Sequence, residues 1–369
     1  MRVGVVGASA RAAVHSLARA GFSAWAVDLF ADRDLARIAP CKVCPATSYP
    51  DALPKLARDF PRSQILYTGG LENYPQVLAG LADDHELWGN PPSVTQLVRD
   101  PIRLATTLQA YGLQTPRLIP PGEPAPPGGH WLSKSLRSSG GQGVRQAKPG
   151  DPPNLQRYFQ EFIPGKSYSA VFVDQLLFGI TRQLVGEQWV HSQKFTYSGS
   201  IGPITLSKPL IEKLVFLGAM FHREFKVRGI WNVDFIINSQ QLYVIETNPR
   251  YSASVEVLEH ALGRSIFHPD EYRNTPHPNR HVGKAIYYAS QRVRFPATGP
   301  WEADLTRGFD PWRMPTFADI PAPGTIIEHT QPVLSILQNG SSPAECHRKL
   351  QSHAVELDQL LLESRHEAQ

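Results

Sequence analysis

Strands alternating with helices from the first residues, a Pro- and Gly-rich break near residues 116–129, and a late apolar hairpin carrying two carboxylates predict an α/β unit followed by an α+β unit. The chain has 369 residues, 41% hydrophobic and 19% charged, enough for two or three compact units that each bury a core. Residues 2–7, RVGVVG, form a short apolar run, and Ala12, Val14, Leu17 and Ala18 follow at helical spacing, so a strand enters a helix through a turn. A second strand over 24–29 carries Asp28 near its end, and a third over 64–68 runs into Gly69-Gly70-Leu71-Glu72-Asn73. This alternation predicts a parallel sheet and a Rossmann-like unit over residues 1–92. The dinucleotide fingerprint is incomplete, because Gly4 and Gly7 lack the third glycine, and Asp28 alone is a weak ribose ligand.

The turn-rich stretch Trp88-Gly89-Asn90-Pro91-Pro92 ends the first unit. A helix is expected over 93–112, with Leu97, Leu104 and Leu108 on one side, opening a second unit over 93–265; residues 266–369 form a closing region. No apolar stretch reaches the roughly 18 to 20 residues that span a bilayer, and Arg11 and His15 interrupt the N-terminal apolar run. A cytoplasmic protein without membrane partners is therefore expected. The formal charge of +4 is spread along the chain and forms no basic arm, which argues against nucleic acid and for an anionic small molecule. Three cysteines cannot build a disulfide framework, and the single pair Cys41 and Cys44 supplies half the roughly four ligands of a closed zinc site, leaving metal or redox use there open.

Chemistry concentrates in the second unit. Trp131-Leu132-Ser133-Lys134 reads as a strand, and Gly140-Gly141-Gln142-Gly143 follows between Ser138, Ser139 and Val144. Such a loop can wrap backbone amides around phosphate oxygens, with Lys134 adding a point charge, or it can be a flexible hairpin loop beside a surface lysine. Gln160-Glu161-Phe162-Ile163 forms an edge before a turn, able to line an adenine ring through backbone carbonyls and Glu161. The strongest signal is Trp231-Asn232-Val233-Asp234-Phe235-Ile236-Ile237, a polar turn, then Leu242-Tyr243-Val244-Ile245-Glu246-Thr247-Asn248-Pro249-Arg250, which alternates as a β-hairpin. Asp234 and Glu246 interrupt apolar runs, a costly placement unless they pair or bind a cation. Glu246 and Asn248 are two apart and share a face. Two carboxylates and an amide oxygen suit a hard cation such as Mg2+, with Arg250 next in line.

In this order and spacing, Lys134 with its GGQG loop, QEFIPG, the acidic hairpin and ETNPR resemble the ATP-grasp superfamily, with residues 1–92 resembling its pre-grasp domain. The resemblance implies a Rossmann-like pre-grasp domain, an ATP-grasp fold whose two α+β halves clasp ATP, and a small C-terminal extension. It assigns Lys134, Gly140, Gly141 and Gly143 to the ATP phosphates, Gln160, Glu161, Phe162 and Ile163 to the adenine, and Asp234, Glu246 and Asn248 to Mg2+, with Mn2+ as a substitute. Arg250 matches an arginine that orients the carboxylate or stabilises its intermediates. The closing region, GGLEN and TYSGSIGP are similar to predicted ATP-dependent carboligases related to biotin carboxylase, some associated with methanofuran- and tetrahydromethanopterin-linked one-carbon metabolism. Two departures stand out: Pro101 where many members carry a second ATP-binding lysine, and Ser167 where many carry an acid near the ribose.

The expected activity is ADP-forming ligation of a carboxylate to an amine through an acyl phosphate, with Lys134 and Arg250 in the reaction. Carboxylation of an amine through carboxyphosphate, or a non-catalytic ATP-binding module, are the alternatives. Ser252, Ser254, Glu256 and Glu72 are expected to line the pocket for acid or amine, with Glu256 accepting the amine's proton, although Ser252 and Ser254 also suit helix capping. The small-molecule acid and amine are the expected partners, and the sequence leaves room for a homo-oligomer.

Overall fold

The computed structural model describes residues 2–268, 270 and 280–363. Its first sheet is parallel, with β1 (Arg2–Val6), β2 (Ser23–Asp28), β3 (Cys41–Val43), β4 (Gln64–Tyr67) and β5 (Glu86–Leu87) in the order β3-β2-β1-β4-β5. The apolar run of β1 is continuous because both faces of this strand are covered. The order reverses at β1, so the crevice beyond the carboxyl ends of β1 and β4 is the place where a sheet of this kind receives a ligand. Gly7 and the Thr68 turn meet there, and a Cβ on Gly7 would lie 2.2 Å from Thr68 Oγ1. Asp28 does not face a ribose. Its carboxylate accepts from the backbone amides of Ala10 at 2.9 Å, Phe30 at 3.1 Å and Ala31 at 2.8 Å, and so braces two loops.

Where one helix is expected over 93–112, two are found, Pro92–Arg99 and Pro101–Ala110. Pro101 holds Asp100 in an extended conformation, and the Asp100 carboxylate then caps the second helix by accepting from the amides of Ile102 and Arg103, each at 3.0 Å. The break leaves Arg99 at the end of the first helix.

A four-stranded sheet follows, ordered β6-β9-β7-β8, from β6 (Leu118–Ile119), β7 (Trp131–Ser135), β8 (Arg145–Gln146) and β9 (Arg157–Glu161). Opposite it lies an eight-stranded antiparallel sheet. Its strands are β10 (Lys166–Val173), β11 (Leu176–Val185), β12 (Tyr197–Gly202), β13 (Ile230–Asn238), β14 (Gln241–Asn248) and β15 (His281–Tyr288). Beyond a short ribbon of β16 (Val293–Arg294) with β18 (Ile326–Ile327), it gains β17 (Phe317–Ala318) and β19 (Pro332–Gly340). The order is β14-β13-β10-β11-β12-β15-β19-β17, so the closing region contributes three strands to the same sheet.

One face of this sheet, with Phe172, Trp231, Val233, Phe235 and Val244, packs on the Lys208–Glu224 helix through Leu210, Leu214, Leu217 and Phe221. The i, i+4, i+7, i+11 spacing explains that helix's orientation, and each fully buried side chain contributes about 1.5–3 kcal/mol. The other face carries Ser169, Thr181, Ser200, Asn232, Asp234 and Lys284; Ser169 stands opposite both Thr181 and Asp234, and Ser200 opposite Lys284. The Ala253–Leu262 helix covers part of it and joins the core of the N-terminal unit through Val255 and Leu258.

Candidate active site

On the hairpin of β13 and β14, Asp234 stands directly opposite Glu246, and Asn232 opposite Asn248. A bulge at Ile245 creates this pairing: Val244 lies opposite Phe235 in the core, yet Glu246 lies opposite Asp234 on the other face. The Asp234 carboxylate accepts from Asn232 Nδ2 at 2.9 Å and from Asn248 Nδ2 at 3.0 Å. Burial and the neighbouring Glu246 charge push Asp234 up to about 6. Burial also opposes the charge on Glu246, but Lys134 and Arg99 outweigh it and hold that carboxylate below its usual range. The Glu246 side chain keeps 25% of its exposure and opens toward the cleft.

The second lobe meets this face. Lys134 Nζ donates to Gln160 Oε1 at 3.1 Å and lies 3.7 Å from Glu246, while Gln160 Nε2 donates to the Ile245 carbonyl at 3.4 Å. β7 and β9 put Lys134 and Tyr158 opposite each other, which explains why both point across the cleft. A narrow opening between the lobes is lined by Arg99, Leu104, Ser138, Tyr158 and Glu246 among others. Gly140, Gly141 and Gly143 all adopt positive φ, at 61°, 75° and 69°. Gly140 accepts from the Tyr197 amide at 2.9 Å, and a Cβ on Gly141 would lie 2.0 Å from the Phe195 carbonyl oxygen.

Arg250 is the third contribution. Its Nε donates to Glu72 at 3.1 Å, and its Nη2 lies 3.0 Å from the other Glu72 oxygen and donates to Asn248 Oδ1 at 3.2 Å and Ser139 Oγ at 3.4 Å. One guanidinium thus joins the GGLEN turn, the hairpin and the Gly-rich loop.

Several expected residues have other surroundings. Glu161 engages Arg117 with both carboxylate oxygens at 3.1 Å, at the surface, so an adenine contact from its side chain would have to displace that pair. Phe162 is exposed and Ile163 buried, the edge being held by the Phe162 amide on the His130 carbonyl at 2.8 Å. Ser252 precedes the Ala253–Leu262 helix without capping it, and its buried hydroxyl oxygen has no partner. Ser254 lies inside that helix, 3.0 Å from Thr181 Oγ1 and 3.3 Å from Ser200 Oγ. The proton-accepting role expected of Glu256 needs correction. It is fully buried, bonded by Arg11 and by Lys284 at 2.9 Å; although burial opposes its charge, these cations hold it far below the ordinary carboxylate range, which makes it a poor base.

Sequence reasoning missed Arg99, Asn73 and Asn232. Arg99 and Asn73 show no local pattern that marks them, since their partners come from loops far along the chain. Asn232 stood two residues before Asp234, and that spacing could have placed it on the same face. It is buried, and its Oδ1 has no partner.

Two α+β lobes thus face each other over paired carboxylates, a lysine and a triple-glycine loop, an arrangement with the charge and the backbone amides to receive a phosphate-bearing ligand. Residues 98–254 match the ATP-grasp domain family model. The chain is 29% identical over 132 residues to the carbamoyl phosphate synthase large chain of Vibrio cholerae serotype O1, a match covering 31% of this chain and 12% of that one. It spans well under two thirds of the length of the curated relatives it matches. Among solved structures, the biotin carboxylase domain of Hydrogenobacter thermophilus 2-oxoglutarate carboxylase, in complex with MgADP and bicarbonate, superposes with a TM-score of 0.65 at 15% identity, covering 91% of this chain and 85% of that one. The L-amino acid ligase of Bacillus licheniformis gives 0.63 at 14% identity, covering 97% of each. At these identities the likeness establishes the fold, and it extends that fold over the whole chain. Among the described residues no helix is long and apolar enough to cross a membrane.

Proposed function

We propose that the protein is an ATP-dependent, ADP-forming ligase that joins a carboxylate to an amine through an acyl phosphate. The observation that carries this reading is the Asp234–Glu246 pair facing Lys134 of the opposite lobe at 3.7 Å from Glu246. Among the described residues no three His, Cys, Asp or Glu side chains are already gathered for a metal ion. The donor set is nevertheless an all-oxygen one, from Asp234, Glu246 and the Asn248 amide, with the Asn232 Oδ1 left without a partner beside it. Such a set fits Mg2+, or Mn2+ in its place, which takes few protein ligands and keeps waters and phosphate oxygens. Magnesium would supply neutralisation of phosphate charge.

The chain's own residues have distinct tasks in this reading. Lys134 offsets charge on the transferring oxygens, the amides of Gly140, Gly141 and Gly143 wrap the phosphates, and the loop excludes water. Gln160, Glu161, Phe162 and Ile163 offer the lobe edge to the adenine. Arg250 orients the reacting carboxylate, with Glu72, Ser252 and Ser254 at the border of its pocket. Glu256 acts there only through the fold. Resemblance to the carboligase group, which includes tyramine–glutamate ligase of methanofuran synthesis, puts amino-acid carboxylates and amines of one-carbon cofactor assembly first among those to assay.

ADP release that requires both an added acid and an added amine is the expected result, and Glu246→Gln should nearly abolish it while the thermal transition stays close to wild type. ADP release independent of any acid or amine, or wild-type turnover in Glu246→Gln, would overturn the reading. Likeness to a biotin carboxylase domain favours a second reading, carboxylation of an amine through carboxyphosphate. Strict dependence on bicarbonate in place of an organic acid distinguishes it.

A further inference from the structure

The Gly-rich loop is tied at its entrance to residues outside its own lobe. The Ser138 carbonyl accepts from Arg99 Nη2 at 2.8 Å and from Asn73 Nδ2 at 3.3 Å. Arg99 Nε donates to Asn73 Oδ1 at 3.2 Å, so these two side chains form a closed triangle with the loop carbonyl. The remaining arm, Arg99 Nη1, donates to the Thr247 carbonyl at 3.2 Å and lies 3.8 Å from Glu246. Arg99 keeps 11% of its side-chain exposure, and Asn73 is buried. Three units therefore converge on one guanidinium: the Leu71–Asn73 turn, the loop, and the strand that carries Glu246. The next residue of the loop, Ser139, is held by Arg250, which also bonds Glu72, the neighbour of Asn73.

A loop with three left-handed glycines has many conformations of similar energy, and the entropy of fixing it opposes phosphate binding. Interactions that fix it beforehand lower that cost and strengthen binding without touching the ligand. Only a planar fork can serve Ser138, Asn73 and Thr247 at once; an ammonium on a flexible stem cannot match the geometry.

We infer that Arg99 and Asn73 are positioning residues that preset the Gly-rich loop for the phosphates of a nucleoside triphosphate. The inference rests on the nucleotide reading of the site given above. It assigns to Arg99 a part in nucleotide affinity that acts through the Ser138 carbonyl, and it makes the Leu71–Asn73 turn a shared support for the loop and for Arg250.

The loop carries its own reporter, because Arg137 is exposed immediately before Ser138 and is a site for trypsin. In Arg99→Lys, cleavage after Arg137 should be faster than in wild type, and the KM for ATP should rise about tenfold, the scale of one lost charge-assisted hydrogen bond, with the change falling on KM rather than kcat. Asn73→Asp keeps the acceptor for Arg99 but loses the donor to Ser138, so its cleavage rate should lie between those of wild type and Arg99→Lys. It also serves as the second variant if Arg99→Lys shows a lowered thermal transition. MgADP should slow cleavage in wild type. Unchanged cleavage after Arg137 in both variants overturns the inference, as does an Arg99→Lys effect confined to kcat. Faster cleavage in both variants with no effect of MgADP on any of them would retain the hold of Arg99 and Asn73 on the loop and sink the nucleotide reading instead.

Discussion

The role given to Arg250 depends on the shape of its side chain as much as on its charge. Its guanidinium spans Glu72, Asn248 and Ser139, and burial, which opposes its charge, is outweighed by Glu72. A lysine here would keep the charge and lose the fork, leaving at least two of those groups without a donor. Arg250→Lys should lower turnover by about tenfold to a hundredfold, equivalent to ~1.4–2.8 kcal/mol, while MgATP affinity measured by calorimetry changes little. Parallel loss of nucleotide affinity would move Arg250 into the nucleotide site. At this scale much of the site was legible, because acids in apolar strands announce themselves. The face that Glu246 occupies was less secure than its spacing implied. Glu246 is two residues from Val244, which is in the core, and only the bulge at Ile245 turns the carboxylate to the cleft. Alternation locates Glu246 with Asn248, but the extra residue in the ladder, Ile245, leaves no local signature because Leu242, Tyr243 and Val244 before it form an unbroken apolar run.

Among the elements, the Gly-rich loop is constrained more than its composition implies. Gly141 has φ of 75°, and a Cβ there would meet the Phe195 carbonyl oxygen at 2.0 Å, while Gly140 is fixed by the Tyr197 amide just beyond. The glycine is therefore required by backbone approach as well as by dihedral angle. Gly141→Ala should push the loop off the start of β12, raise the KM for ATP, and leave the thermal transition within a few degrees, since the contact is peripheral to the cores. Unaltered kinetics in that variant would show that the loop does not need this seat. The pairing of the loop with Phe195 and Tyr197 joins residues more than fifty apart, and no local pattern reports it. The helical signal after residue 92 was legible, and so were the means to break it, because Pro101 in the middle of that span cannot continue a helix and Asp100 before it can cap the next one. β1, β2, β4 and the hairpin were readable as elements, whereas the addition of β15, β17 and β19 to the large sheet depends on contacts between distant segments.

The whole molecule is held together at one end by a buried charge network that crosses four segments of the chain. Arg11 of the N-terminal unit bonds Glu256 on the Ala253–Leu262 helix and Asp319 before β18; Lys284 of β15 bonds Glu256 at 2.9 Å and lies 3.3 Å from Asp319. Asp34 accepts from the amides of Asp319 and Ile320, at 2.9 and 3.0 Å, and completes the junction. Such a network specifies how the N-terminal unit sits on the sheet, and the loss of one member leaves its partners buried and charged, a change that costs about 3–5 kcal/mol. Glu256→Gln is therefore expected to lower stability by about 3–5 kcal/mol in denaturant unfolding at neutral pH. Its pH dependence carries the sign. Arg11 and Lys284 hold Glu256 far below its unfolded value against the opposing effect of burial, so the folded state binds fewer protons and the stabilisation from this group is present above about pH 4.3. It is lost as pH falls from that value toward the folded one. Asp34 acts in the opposite direction: burial, then Asp319 against the relief given by Arg11, raises it to about 6, so its contribution is complete below its unfolded value near 4 and declines as pH rises through 6. The comparison that isolates Glu256 is consequently the acid limb below pH 4, where wild type should lose stability steeply and Glu256→Gln should be flatter. A variant that keeps wild-type stability at pH 7, or loses it with the same acid slope, would show that Glu256 is not the keystone of this junction and would return it to consideration as a group of the substrate pocket.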